Sequence, residues 1–162
     1  MRARFLAAAI AALLGGCRDR PAPAAPAAPP VAAPPLEQGL LAELGREAGQ
    51  RPAETPTVEQ VLSSLERAGI AIARRQQVLA TPIGARYCVA AVSAGGLNMS
   101  ICEFEGPAAA EAGRTRSQQA FKTIARRTLL LRGKTLLTLI VNVDTPLIRA
   151  QAERAQGVFT AL

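Results

Sequence analysis

Apolar residues along the chain switch between helical and strand spacing four times, and each switch opens a new element. Leu36, Leu40, Leu41 and Leu44 share one side of a helical turn pattern, which predicts a weak helix or linker over 36–52. Gly39 and Gly45 weaken it by about 1 kcal/mol each relative to alanine. Val58, Val61, Leu62 and Leu65 repeat at three- and four-residue intervals, the signature of an amphipathic helix. Thr55-Pro56 reads as its N-cap and first helical position, and Gly69 as its C-terminal stop. From Ile70 the pattern changes to strands: 70–80, 86–93 and 97–105, with Ala94-Gly95-Gly96 as a hairpin turn between the last two. Gly106-Pro107 opens an alanine-rich helix to Lys122. A second hairpin follows, 128–131 and 135–143 around Arg132-Gly133-Lys134, and Thr145-Pro146 caps a final helix running towards Phe159.

The order is therefore helix, three strands, helix, two strands, helix. Short hairpins force antiparallel neighbours. The predicted fold class is α+β, with a small antiparallel sheet of about five strands and helices packed on a face. One domain, 53–162, holds this core, as expected for 162 residues.

The first 35 residues follow a different logic. Arg2 and Arg4 form a short positive region, and Phe5 to Leu14 is an uncharged apolar run of ten residues. Such a run is about half of what spans a bilayer, but it suits the core of a signal peptide. Leu14-Gly15-Gly16-Cys17 closes it. This segment resembles the lipobox of bacterial lipoproteins, in which an aliphatic residue and two small residues precede the modified cysteine. The resemblance covers residues 1–17 and implies that 1–16 are removed as a signal peptide. Cys17 would then become the N-terminus, carrying a diacylglyceryl thioether and a palmitate-type acyl chain. Two or three acyl chains anchor a protein essentially permanently. In the same family an Asp directly after the cysteine marks inner-membrane retention. Here Arg18 occupies that place, which favours the outer membrane. Residues 18–35 contain seven prolines among mostly alanine. They read as a polyproline II tether reaching roughly 55 Å at about 3.1 Å per residue.

Export leaves Cys88 and Cys102 as an even pair in an oxidising compartment. If Ala94-Gly95-Gly96 is a three-residue loop with Gly96 left-handed, Ser93 faces Leu97. Counting outwards then brings Cys88 opposite Cys102, within disulfide span. A two-residue turn would instead set Glu103 against Cys88. Two buried thiols and a redox pair are the competing readings, although no Cys-x-x-Cys motif is present to lower a thiol pKa.

Composition narrows the chemistry. The chain has no histidine, which removes Ser-His-Asp and Cys-His catalysis and the commonest metal ligand. No metal or cofactor motif stands out. Glu103 and Glu105 share a strand face, but near a strand end, where solvent exposure is expected. Gly133-Lys134-Thr135 mimics the end of a phosphate loop, yet Thr128 replaces the required first glycine and a strand follows. The net charge is +7, or +5 once Arg2 and Arg4 leave with the signal. Export argues against a nucleic-acid partner. Between Glu111 and Asp144 stand Arg114, Arg116, Lys122, Arg126, Arg127, Arg132 and Lys134 with no acid among them, while the segments before Gly69 are acid-rich. These seven define an expected basic patch for anionic headgroups or envelope polymer. An internal match between acidic helices and basic strands is the alternative.

Together these features predict an envelope lipoprotein held to a membrane through lipidated Cys17. Its domain is a non-enzymatic binding or structural module for an envelope protein or anionic polymer. A periplasmic enzyme using carboxylate or Ser/Lys chemistry is the alternative.

Overall fold

The computed structural model describes residues 35–53 and 56–162 of this chain; the signal segment, Cys17, the tether up to residue 34 and Thr55 lie outside them, and Pro35, read as the last tether residue, opens a helix. Among the described residues the elements are α1 (Pro35–Gly49), α2 (Val58–Arg67), β1 (Ile72–Val78), a 3₁₀ turn (Thr81–Ile83), β2 (Tyr87–Ser93), β3 (Asn98–Glu103), α3 (Pro107–Ala120), β4 (Arg127–Arg132), β5 (Thr135–Ile140) and α4 (Pro146–Ala161). The α+β class and the predicted element order are thus present. The strands form one sheet in the order β1-β2-β3-β5-β4, every neighbour antiparallel.

The second hairpin therefore does not simply extend the first. After β3 the chain crosses as α3, lays β4 at the far edge, and returns with β5 between β4 and β3. Strand alternation gives each face of the sheet its own core. Val89, Ala91, Met99, Ile101, Leu137 and Leu139 point to one face, where they meet α2 and α4. Helix α2 buries Val58, Val61, Leu62 and Leu65, and α4 buries Ile148, Ala152, Ala155 and Phe159. Cys88, Cys102 and Leu136 point to the opposite face, beneath α3. The helices are thus divided between both faces.

Local chemistry sets the boundaries. Helix α2 begins two residues later than its proline suggests. Thr57, not Thr55, is the N-cap, and its hydroxyl accepts from the Gln60 amide while the Gln60 side chain accepts from the Thr57 amide. That reciprocal box satisfies two otherwise orphaned donors, whereas a start at Pro56 would put Val58, which has no side-chain acceptor, at the third helical position. Thr145 caps α4 as expected, accepting from the Ile148 amide at 3.2 Å.

Helix α1 belongs to the same compact unit as the sheet and does not stand apart as a linker. Its fixing point is Glu47, only 3% exposed. The carboxylate accepts from the backbone amides of Ala80 and Thr81 at 3.0 Å and from the Thr81 hydroxyl at 2.8 Å. Leu36, Leu40 and Leu41 nevertheless remain exposed, since the docked part of the helix is its C-terminal half.

Helix α3 approaches its face through small residues, burying Ala110, Gly113 and Ser117. A Cβ on Gly113 would lie 2.0 Å from the fully buried Phe104 ring and 3.1 Å from the Ile83 carbonyl. Gly113→Ala is therefore expected to lose about 2 kcal/mol in urea unfolding, because the overpacking outweighs the gain of up to about 1 kcal/mol in helix propensity. A net gain in stability would show that α3 does not sit this close.

Candidate functional site: an apolar cleft above the disulfide

The short α3 covers only part of its sheet face. Beyond its C-terminal end a cleft of about 280 Å³ opens, bounded by the end of β1 and the 3₁₀ turn on one side and by Ser117, Phe121 and Ile124 on the other. Its floor comes from the alternate residues that point this way: Cys88, Cys102, Ser100 and Thr138.

Cys88 and Cys102 are joined as a disulfide. Their strands register Cys88 directly against Cys102, because Gly96 adopts a left-handed φ of 90° and the Ser93 amide donates to the Leu97 carbonyl at 2.9 Å. The three-residue loop is thus the one formed, and Glu103 pairs with Tyr87 instead. Both cysteines are buried, at 1% and 4% exposure.

The cleft rim is apolar and accessible: Leu79, Phe121 and Ile124 are 38%, 41% and 39% exposed. Exposed large apolar side chains gathered around a concavity mark binding surfaces more often than isolated ones do. Arg127 is the one charged residue among the described residues of the lining. Its guanidinium donates to the Ser117 hydroxyl at 2.6 Å and to the carbonyls of Ser117 and Phe121 at 3.2 and 3.0 Å, and lies over the Phe121 ring. These carbonyls end α3, where a cation is favoured by the exposed C=O groups. Burial lowers the Arg127 pKa, but guanidinium stays charged throughout the physiological range.

A larger open groove of about 780 Å³ lies between the outer face of α2, the β4–β5 turn and Leu162. It is polar, and its arginines are tied to the chain itself, Arg67 to the Ser64 hydroxyl and Arg132 to the Thr160 carbonyl.

The seven basic residues do not come to one face. Lys134 is buried at 3% exposure. Arg127 and Arg132 sit at opposite ends of β4. Arg114 pairs with Glu111, Arg126 with Asp144, and Arg116 donates to the Ile83 carbonyl. Lys122 is exposed beyond the end of α3. Arg114 and Arg116 are two residues apart on α3 and so project in different directions.

The carboxylates also separate. Glu105 is solvent-exposed and pairs with Arg86 at 2.6 Å. Glu103, expected at an exposed strand end, is instead fully buried. It accepts from the Val58 amide at 2.7 Å and from Arg51 at 2.8 and 3.1 Å, so it sits at the amino end of α2. Arg51 reaches on to Glu59 at 2.7 Å and stacks 4.0 Å from the Tyr87 ring centre. The signal for this burial was present: Met99, Ile101 and Glu103 alternate onto one face, and the first two are plainly core. Arg51 gave no comparable signal, standing in a polar stretch without periodicity. Asp144 lies past the other end of β5, paired with Arg126 and Arg149. Gly133-Lys134-Thr135 is the β4–β5 hairpin, with Gly133 at φ 55° and the Thr135 hydroxyl donating to the Pro56 carbonyl.

Among the described residues no helix is long and apolar enough to cross a membrane. No protein family, curated protein or solved structure matches this chain.

Proposed function

We propose that this chain is a non-enzymatic binding module of a bacterial cell envelope, tethered by lipid on Cys17, and that its cleft seats an apolar group of an envelope partner. The observation that carries the binding role is the composition of the cleft: an accessible apolar rim, a small-residue floor, and one guanidinium already bonded to helix carbonyls. A catalytic alternative needs titratable groups converging on a substrate. Here Glu103, Glu105 and Asp144 stand apart, each beside an arginine. The anchor rests on Leu14-Gly15-Gly16-Cys17, and the Cys88–Cys102 disulfide suits the oxidising compartment that export reaches. An outer-membrane address follows from Arg18 after Cys17.

The anchor is tested by intact mass measurement of the chain from membranes. The expected product starts at Cys17 with diacylglyceryl and acyl mass, and Cys17→Ser should remain uncleaved and unacylated. A mature end without acyl mass would refute the tether. The cleft is tested with the amphipathic fluorophore 1-anilinonaphthalene-8-sulfonate, whose rings bind apolar surface. Ser100→Phe, projecting from the floor, should weaken its binding about tenfold, or roughly 1.4 kcal/mol. Unchanged binding in a folded variant would remove the cleft from the proposal.

A further inference from the structure

The two edges of the sheet are treated differently. Strand β1 breaks register between Ile72 and Arg74, and Arg74, Arg75 and Gln76 are exposed. A bulge and charged side chains are the usual means of blocking an edge. Strand β4, Arg-Thr-Leu-Leu-Leu-Arg, keeps an unbroken register with β5 and contains neither proline nor a central charge.

Its outward hydrogen-bonding groups can be assigned. The Val141 amide donates to the Arg126 carbonyl, and Arg127 pairs with Ile140. Antiparallel alternation then turns Thr128, Leu130 and Arg132 towards β5 and leaves the amides and carbonyls of Arg127, Leu129 and Leu131 facing outwards. All six residues are partly exposed, so apolar side chains flank this row on both faces of the sheet.

We infer that the edge of β4, unpaired among the described residues, receives an extended segment of a partner protein, apolar at its centre and acidic at both ends, as a sixth strand. Three outward amides and three outward carbonyls select an extended backbone. The ends select charge: Arg127 and Arg132 flank the apolar centre, and although each guanidinium is bonded within the chain, its acceptors among the described residues are the uncharged groups of Ser117, Phe121 and Thr160, which leave its charge unneutralised. A second copy of this chain is the weaker occupant. Outward residues must pair with outward residues. Self-pairing centred on Leu129 then sets Arg126 against Arg132, and like charges directly opposite destabilise a strand pair. Self-pairing centred on Leu130 sets Arg132 against Thr128 and Arg127 against Gly133, so neither guanidinium meets a carboxylate, as it would on an acidic-ended segment. This inference rests on the reading of the chain as a binding module, but its test needs neither the lipid nor the cleft.

The test is hydrogen exchange by mass spectrometry on the full-length chain with an acetylated, amidated peptide, Glu-Val-Thr-Val-Thr-Glu. At ten times its Kd the peptide should slow exchange in 127–132 about tenfold, by mass action, and leave β1 unchanged. Raising salt to the molar range should weaken the effect, as should replacing both glutamates by lysine. N-methylation of the peptide on one alternating set of residues should abolish protection, and on the other set leave it intact. Leu131→Pro, which removes one outward donor from an edge position that tolerates proline, should also abolish it. No protection at millimolar peptide, protection elsewhere, or equal protection by the lysine peptide overturns the inference. Protection of 127–132 that rises with chain concentration alone would assign the edge to a second copy and overturn it too. Loss of probe binding by Ser100→Phe bears on the cleft and leaves this result untouched.

Discussion

Glu103→Ala is expected to lower the unfolding free energy by about 3 kcal/mol, a large fraction of the 5–15 kcal/mol typical of small domains. The carboxylate is fully buried and joins three elements: it ends β3, accepts from the first amide of α2, and holds Arg51 of the segment that follows α1. Removing it leaves a guanidinium, 27% exposed, facing an apolar gap, and leaves a helix amide without its acceptor. The loss falls at the lower end for broken buried pairs because Arg51 still has Glu59 and solvent. Urea unfolding of Glu103→Ala, Arg51→Met and the double variant would measure this. The double variant should be less destabilised than the sum of the two, since it removes the stranded charge. A loss below about 1 kcal/mol for Glu103→Ala would mean that the carboxylate does not hold these elements together. The same cluster has a pH signature. Hydrogen bonding to Arg51 lowers the Glu59 pKa, so Glu59 adds stability above the ordinary carboxylate range and loses it as pH falls through its folded value. Arg51→Met should flatten that acid dependence.

Removing the disulfide is the second large effect. Cys88 and Cys102 are 14 residues apart, and closing a loop of that length in the unfolded chain contributes about 3 kcal/mol. The paired Cys88→Ala, Cys102→Ala variant should therefore melt roughly 10 °C lower. Reduction of the native chain should reproduce most of that shift. Two further thiols should become titratable in denatured chain only after reduction. Their appearance without reductant, or a melting point unmoved by the double substitution, would contradict a stabilising bridge. The cleft shares the consequence, since the bridged pair is part of its floor and ties β2 to β3 there.

What the sequence made legible was periodic and local. Val58, Val61, Leu62 and Leu65 announced α2, and Thr145-Pro146 announced α4. The three residues between Ser93 and Leu97 set the register that brings Cys88 to Cys102. Each depends on neighbours within a few positions, where backbone geometry and capping decide the outcome. One boundary slipped at α2, where Thr55-Pro56 reads as the start but the reciprocal Thr57–Gln60 box prevailed. Glu103 was misjudged because its position near a strand end was weighed above its alternation with Met99 and Ile101.

The sequence by itself determined the order of the elements and the antiparallel hairpins, and it reduced the Cys88–Cys102 pairing to a choice between two turn lengths, because hydrophobic period, glycine conformation and loop length act over short distances. Only the tertiary structure decided that β5 lies between β3 and β4, that α3 takes the opposite face from α2 and α4, and that the basic residues part company. Those outcomes depend on which apolar faces cover one another across tens of residues. The cleft is a product of that same step: it exists because α3 ends before its sheet face does.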